Sequence, residues 1–326
     1  MYKILAIETS CDDTSIAVFF DDTLQTMDTR SQIKIHNKTG WVVPEVAARE
    51  HANSIFEVLE TVLQDSWVKL EEVTHIAVTV QPGLIPSLLT GITVARMLAN
   101  IYSIPLIEID HIQAHIFSNY LEREESDINY PYMCLTVSGW HNELYFMKSM
   151  FEMKKIGQTT DDASGEAFDK VAKMMWLGYP GGPIISKLAS EYIWESTQLF
   201  PRVWLEKKAH DFSFSGLKSS VKREVEKRWE LTKLDRQKIA FEFQQAVIEV
   251  LAYKLVQSAE QKNCQHIMLA GWVSANTQLR DEIQKLADDK WLTFLYPKKL
   301  TYCMDNAAMI WILWYYKVKY NKSFTI

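Results

Sequence analysis

The sequence predicts an α/β protein built from two duplicated lobes, and three observations carry that reading. The chain has 326 residues, 48% of them hydrophobic and 23% charged, which is too long for one ordinary core and suits two. Segments with strand and helix patterning alternate along it, arguing for sheets with helices on both faces. One hairpin design, strand then polar turn then strand, opens each half of the chain.

The first hairpin runs over residues 2–8, a polar turn at 9–14 and residues 15–20. Residues 73–80 then read as a strand, 87–102 as a helix, 106–110 as a short buried strand and 111–121 as a helix. The second hairpin covers 132–137, the turn 138–142 and 143–147. After it come a helix at 165–177, a Gly/Pro loop at 178–183 and a helix from Ile184. A long helix follows at 239–259, then a strand at 266–270 that runs into the turn 271–276 and another helix. The last helix begins near Asp305 and is expected to cross back and close the first lobe. The predicted division is therefore 1–125 with 305–326 for one lobe, and 126–304, carrying a helical insertion, for the other.

Composition excludes several classes. Residues 2–7 enter an apolar strand pattern with no basic leader, and the apolar run at 307–316 is too short to span a bilayer. The four cysteines lie far apart with no Cys-x-x-Cys pair, so a reduced cytoplasm is the expectation. A net charge of -6 does not suit a large phosphate-binding surface. Between residues 202 and 238, however, 11 Lys and Arg face 6 Asp and Glu. That stretch reads either as a solvated helical face or as a basic patch.

His111 and His115, four residues apart on a predicted helix, project from one face and can reach a single ion. Imidazole suits zinc or iron(II), and a third, oxygen ligand would leave positions open for substrate. The pair follows the carboxyl end of a predicted strand, where α/β sheets place their sites. Asp305 stands at a loop-to-helix start, as either a ligand or a helix cap. The two hairpin turns, the Pro180-Gly181-Gly182-Pro183 loop and the turn 271–276 resemble places where backbone amides meet phosphate.

The string Ile7-Glu8-Thr9-Ser10-Cys11-Asp12-Asp13-Thr14 resembles the opening of the TsaD family of tRNA N6-adenosine threonylcarbamoyltransferases. The resemblance runs almost end to end. It takes in Val42-Val43-Pro44-Glu45, Pro82-Gly83-Leu84, the His111/His115 pair, residues 161–170, residues 179–183, residues 212–218, Val273-Ser274-Ala275-Asn276 and Asp305-Asn306-Ala307-Ala308-Met309. It implies an actin-like/Hsp70/sugar-kinase (ASKHA) fold with duplicated ribonuclease-H-like lobes and a cleft for threonylcarbamoyl-AMP. It implies transfer of the threonylcarbamoyl group to N6 of adenosine 37 in tRNAs reading codons that begin with A. His111, His115 and Asp305 match the family's ligands to one divalent metal per subunit, Fe(2+) in first place and Zn(2+) as the alternative. Thr136, Val137, Ser138, Gly139, Trp140, Asp169, Gly182 and Asn276 match its adenylate-contacting positions. The partners implied are tRNA, a shorter ASKHA paralogue (TsaB-like) and a small P-loop ATPase (TsaE-like).

This chain departs from the pattern in one recurrent way. Trp41, Trp140 and Trp272 each follow a glycine where the family pattern is Gly-Gly, and Trp176 and Trp314, with Trp67 and Trp291, look like the same exchange. The chain holds 11 glycines and 11 tryptophans, whereas ~7% usage predicts about twice as many glycines. An indole at positive φ costs about 1–2 kcal/mol, so strain is expected at these positions, and at Trp140 and Trp272 a ring in the adenylate's space. The exchange is read as UGA codons that specify glycine in the source and tryptophan here. The competing reading is a catalytically silent scaffold subunit. Gln81 and Pro86 also stand at usual glycines, and codon reading does not explain them. A kinase or ATPase of the same fold is a further alternative. A metalloprotease is disfavoured because Ile112, not glutamate, follows His111.

Overall fold

Ile4, Leu5, Ala6 and Ile7 are all fully buried, which makes β1 (Lys3–Glu8) the central strand of a sheet covered on both faces. The structure, a computed structural model, describes residues 2–204, 209–228 and 230–322. β2 (Asp13–Phe20) pairs antiparallel with β1 from Lys3↔Phe20 to Glu8↔Ser15. β3 (Thr23–Ser31) forms the outer edge beside β2. Its threonines, Gln25, Asp28 and Arg30 give no apolar alternation, so periodicity reads no strand there.

α1 (Ile33–His36) leads to α2 (Pro44–Ser66), whose buried Ala47, His51, Ile55, Val58, Leu59 and Val62 recur at helical spacing. β4 (His75–Gln81), α3 (Ile85–Tyr102), β5 (Leu106–Asp110) and α4 (His111–Phe117) follow. β4 lies parallel to β1 and β5 parallel to β4. The helix expected to reach residue 121 ends at Phe117 and tightens into a 3-10 turn over Ser118–Tyr120. Pro86 sits in the first turn of α3, where a missing N–H costs nothing. Gln81 ends β4 with its side chain exposed and no positive φ. Neither substitution strains the loop.

The second unit repeats the plan with β6 (Tyr132–Val137), β7 (Asn142–Ser149), β8 (Glu152–Gln158), α5 (Ser164–Met174), α6 (Gly181–Ser190), α7 (Ser215–Glu226), α8 (Lys233–Gln261), β9 (His266–Ala270), α9 (Thr277–Asp288) and β10 (Thr293–Leu295). The sheet orders are β3-β2-β1-β4-β5 and β10-β9-β6-β7-β8. Read from the other edge, the second is β8-β7-β6-β9-β10, with the same antiparallel and parallel partners. The hairpin duplication read from sequence is thus a duplication of whole sheets. α6 begins at Gly181, three residues before the helix expected from Ile184. Pro183 does not delay it, because first-turn N–H groups have no intrahelical acceptor. α8 begins at Lys233 behind a Thr232–Asp235 capping box.

α10 (Ala307–Lys319) returns to pack on α4 and β1. The compact units are Met1–Arg123 with Pro297–Ile326, and Glu124–Tyr296. Residues 323–326 of the expected last helix lie outside the described residues.

Three helices end on tryptophan in the left-handed region: Trp67 (φ 55), Trp176 (φ 56) and Trp291 (φ 55). In each, the next N–H closes a six-residue turn: Val68 to Leu63, Leu177 to Ala172, and Leu292 to Ala287. That closure favours glycine at the positive-φ residue, because glycine adopts it without cost; in this chain the small polar Ser103 and Asn263 also stand in it. The three rings are 91%, 73% and 90% exposed, so packing does not offset the strain. Trp41, Trp140, Trp272 and Trp314 are not at positive φ, which corrects the expectation of strain there. Trp314 is a packed core side chain, in edge contact with Tyr2. Replacing Trp67, Trp176 or Trp291 by glycine is expected to raise the unfolding free energy by about 1 kcal/mol each, measured by denaturant melts. A loss of stability at all three would contradict this account.

Candidate functional site

The parallel arrangement of β1, β4 and β5 brings their carboxyl ends, Glu8, Gln81 and Asp110, to one edge of the sheet. Asp110 caps α4 by accepting the Gln113 N–H at 2.9 Å. The first helical turn therefore starts at His111, and His115 lies one turn on. The loop before α10 supplies Asp305, and Asn306 caps that helix by accepting the Met309 N–H at 3.0 Å. Asp305 is thus not the cap.

These elements bring His111, His115 and Asp305 together. Nε2 of His115 lies 3.0 Å and Nε2 of His111 3.7 Å from Oδ1 of Asp305. One ligand atom from each residue falls within 4.8 Å of the others. The imidazole planes cross at 82° with centroids 4.5 Å apart. Both histidines are buried and Asp305 is partly so. Two imidazole nitrogens and a carboxylate oxygen, aimed at one point, suit a divalent cation such as iron(II) or zinc.

Two residues that the sequence reading gives no role stand behind the triad. Glu8, wholly buried, places Oε2 3.2 Å from His111 Nδ1, and the Ser10 hydroxyl lies 3.2 Å from the same nitrogen. A carboxylate at the end of β1 is a visible signal, but its approach to His111 depends on sheet pairing. Burial disfavours a charged His111 ring, yet the carboxylates of Glu8 and Asp305 outweigh it and hold its pKa up to about 9. His115 is pushed down, by burial and by the charge on His111. In the metal-free chain His111 is thus the protonated member, and a cation that takes Nε2 displaces that proton.

The adjoining Asp12 and Asp13 are also buried, and Asp12 Oδ2 and Asp13 Oδ1 have no hydrogen-bond partner. Burial, then the charge of Asp12, lifts the Asp13 carboxyl to about 8; burial lifts Asp12 to about 6. His51 holds this turn from below, with Nδ1 2.7 Å from the Thr14 hydroxyl and Nε2 2.9 Å from the Cys11 carbonyl.

The other expected site residues all lie in the second unit. Thr136 and Val137 end β6 with buried side chains, so any ligand contact from them uses backbone. In the following turn, the Ser138 hydroxyl accepts N–H groups from Trp140 at 3.3 Å and His141 at 3.1 Å. This turn packs on the start of α5, where a Cβ on Gly165 would meet the Ser138 carbonyl at 2.6 Å. Gly271, at φ +82, lies as close to the Val137 carbonyl. Asp169 on α5 accepts the Gly181 N–H at 2.6 Å, tying α5 to the first turn of α6, which holds Gly182. Asn276 caps α9 and donates to Ser186 of α6 at 3.0 Å and Gln244 of α8 at 2.9 Å. Nothing lies within 4 Å of where a Cβ would stand on Gly139 or Gly182, so both backbones are open to a ligand. Trp140, half exposed, projects beside one of these open positions.

The basic stretch resolves into pairs. Arg202 bonds Glu249, Lys218 bonds Asp162, Lys222 Glu226, Lys227 Glu224, Arg228 Glu224 and Asp235, and Lys233 Glu191. Six of its basic side chains are thus paired, three of them with carboxylates from outside the stretch; Lys207 and Lys208 lie outside the described residues. Among the described residues no helix is long and apolar enough to cross a membrane.

Comparison with known proteins agrees with this geometry. The family model described as tRNA N6-adenosine threonylcarbamoyltransferase matches residues 23–312. A Persephonella marina protein of that name is 42% identical over 321 residues, covering 97% of this chain and 90% of its own. A Staphylococcus aureus protein of the same name is 43% identical over 318 residues, covering 96% and 91%. Among solved structures, T. kodakarensis HypF aligns with a TM-score of 0.64 at 12% identity, over 99% of this chain and 48% of that one. Component A of the Acidaminococcus fermentans (R)-2-hydroxyglutaryl-CoA dehydratase aligns with 0.56 at 11% identity, over 98% and 100%. Both share the ASKHA-type fold with this chain, and at such identities only the fold.

In the metal-free chain the raised Asp13 pKa destabilises the fold as that carboxyl ionises. Its contribution is intact below the unfolded value of about 3.9 and is lost as pH rises through about 8. In chelator, the unfolding free energy is expected to fall between pH 5 and 8 by on the order of 1 kcal/mol per pH unit, and Asp13→Asn to flatten the slope. Identical profiles for the two proteins would contradict the assignment.

Proposed function

This chain belongs to the tRNA N6-adenosine threonylcarbamoyltransferase family, and from that membership we propose how its residues divide the work of t6A formation. His111, His115 and Asp305 hold one divalent cation, Fe(2+) in first place and Zn(2+) as the alternative. The observation that carries this reading is the convergence of three ligand atoms from residues 194 positions apart at the extremes. The turn after β6, Asp169, Gly182 and Asn276 hold threonylcarbamoyl-AMP. The open backbone at Gly139 and Gly182 and the amino end of α6 support an anion there.

The chemistry of the transfer makes two demands. N6 of adenine is a weak nucleophile, because its lone pair is delocalised into the ring. The acyl donor must therefore be strongly electrophilic, and a mixed anhydride with AMP provides a good leaving group. A bound cation supplies Lewis-acid polarisation of the acyl carbonyl and an anchor for the threonyl carboxylate. The imidazoles fix the direction from which that charge acts, and Asp305 offsets part of it. Backbone N–H groups of the second unit stabilise the adenylate phosphate as charge shifts onto it.

The reading extends to tRNAs decoding codons that begin with A and to the two implied protein partners, a shorter paralogue and a small P-loop ATPase. Exposed Phe56, Ile85, Leu89 and Ile101 on α2 and α3 support a protein partner on the first unit. The pairing of much of the basic stretch 202–238 with carboxylates supports tRNA capture shared with such a partner. Four free cysteines support a reducing, cytoplasmic setting. Trp67, Trp176 and Trp291 support the reading of these tryptophans as glycine codons, because a bulky ring recurs at a positive-φ closure that elsewhere in the chain carries Ser103 and Asn263.

In a transfer assay with tRNA and the adenylate, His111→Ala is expected to lose at least ~100-fold in rate with an unchanged far-UV spectrum. Full activity of that variant in the presence of metal would defeat the assignment. Trp140→Gly and Trp272→Gly together are expected to raise activity above that of the chain as written. UGG codons at Trp41, Trp140 and Trp272 in the gene would sink the codon reading.

A further inference from the structure

A fully buried carboxylate needs partners for both oxygens, and Glu8 takes its partners from the turn after β1, from β4 and from the start of α4. Oε1 accepts the Ser10 N–H at 2.5 Å. Oε2 accepts the Thr79 hydroxyl of β4 at 2.5 Å and lies 3.2 Å from Nδ1 of His111, the first residue of α4. Because β1 and β4 are locked in register, the carboxylate has no freedom to follow the ring; the ring must conform to it.

That contact has a chemical consequence. An ionised carboxylate only accepts, so the nitrogen facing it must carry hydrogen. With Nδ1 as the N–H, the Nε2 lone pair is directed to the opposite side of the ring, where Asp305 Oδ1 and His115 Nε2 converge. The Ser10 hydroxyl, 3.2 Å from Nδ1, both donates and accepts and cannot impose this form by itself. His115 lacks any equivalent, since its Nδ1 is buried without a hydrogen-bond partner. The orientation of one ligand therefore rests on Glu8, with Thr79 behind it.

We propose that Glu8 is the positioning residue of the cation site, fixing the plane and the Nδ1–H form of His111 so that Nε2 is presented as a ligand. This rests on the reading of the triad as a cation site. Glu8→Gln keeps the volume but offers an amide that can donate to Nδ1, which favours the wrong form of the ring. Thr79→Val keeps the carboxylate and removes one of its anchors.

The test is titration of the full chain with Zn2+ in competition with a chromophoric chelator. In parallel, NMR of the Zn2+-loaded protein follows the downfield Nδ1 proton of His111. Wild type is expected to bind one Zn2+ per chain and His111→Ala to lose it. Glu8→Gln should bind about 10–100-fold more weakly and lose the downfield proton. Thr79→Val should weaken binding by about threefold. If His111→Ala loses the ion while Glu8→Gln stays within twofold of wild type or keeps that proton, the role of Glu8 is overturned and the cation site stands. If wild type and His111→Ala behave alike, the cation site itself fails, and this proposal with it. Should Glu8→Gln not fold, Thr79→Val decides: unchanged affinity and an unchanged proton signal overturn the proposal.

Discussion

Charge buried at the carboxyl ends of β1, β4 and β5 is the constraint around which the first unit is organised. Glu8, Asp12, Asp13 and Asp305 gather there with two imidazoles, in surroundings where an isolated anion is costly. The chain answers part of this itself: His111 takes a proton, and Ser10, Thr79 and Ser31 supply donors. It leaves Asp12 Oδ2 and Asp13 Oδ1 without partners. A cluster so rich in carboxyl groups, in which Asp13 escapes its neighbours' charge only by keeping its proton, is suited to a positive ion from outside. The His111–His115–Asp305 triad is the place where ligand atoms already converge on one point.

Much of this is legible in the sequence, and the remainder is hidden for specific physical causes. His266–Ala270 reads at its full extent because burial on both faces writes itself as continuous hydrophobicity, and Leu106–Asp110 because its buried Ile107 and Ile109 alternate with half-buried residues. β3 is invisible, because an edge strand facing water needs no apolar residues. α2 escapes notice although its apolar spacing is regular; its charged residues at intermediate positions dilute the signal. His111 and His115 are legible because four-residue spacing on a helix fixes their separation locally. Glu8 is not, since only the parallel pairing of β1, β4 and β5 brings residues 8, 79 and 111 together. Local geometry can be read from spacing; long-range register cannot.

The tryptophans divide along the same line. At Trp67, Trp176 and Trp291 the backbone itself carries the argument, because a six-residue helix closure fixes a positive φ whatever side chain is attached. At Trp140 and Trp272 the backbone is ordinary, and only the question of space remains. Ring contacts show Trp314 seated in the core between Tyr2 and His75. A single rule of exchange at the codon level would ignore such differences, and three clear backbone conflicts beside four positions without one is the pattern that indifference produces.

The duplicated sheets place different chemistry at equivalent strand ends. β1 and β6 are equivalent central strands, each followed by a turn and an antiparallel partner. β1 ends in Glu8, a buried anion that faces an imidazole. β6 ends in Val137, which carries no charge and abuts Gly271 so closely that a Cβ there would meet its carbonyl at 2.6 Å. The next residues, Ser138 and Gly139, offer hydroxyl and backbone rather than carboxylate. The same strand end is thus charged in one unit and neutral in the other, and the difference lies in the residues at and just beyond it.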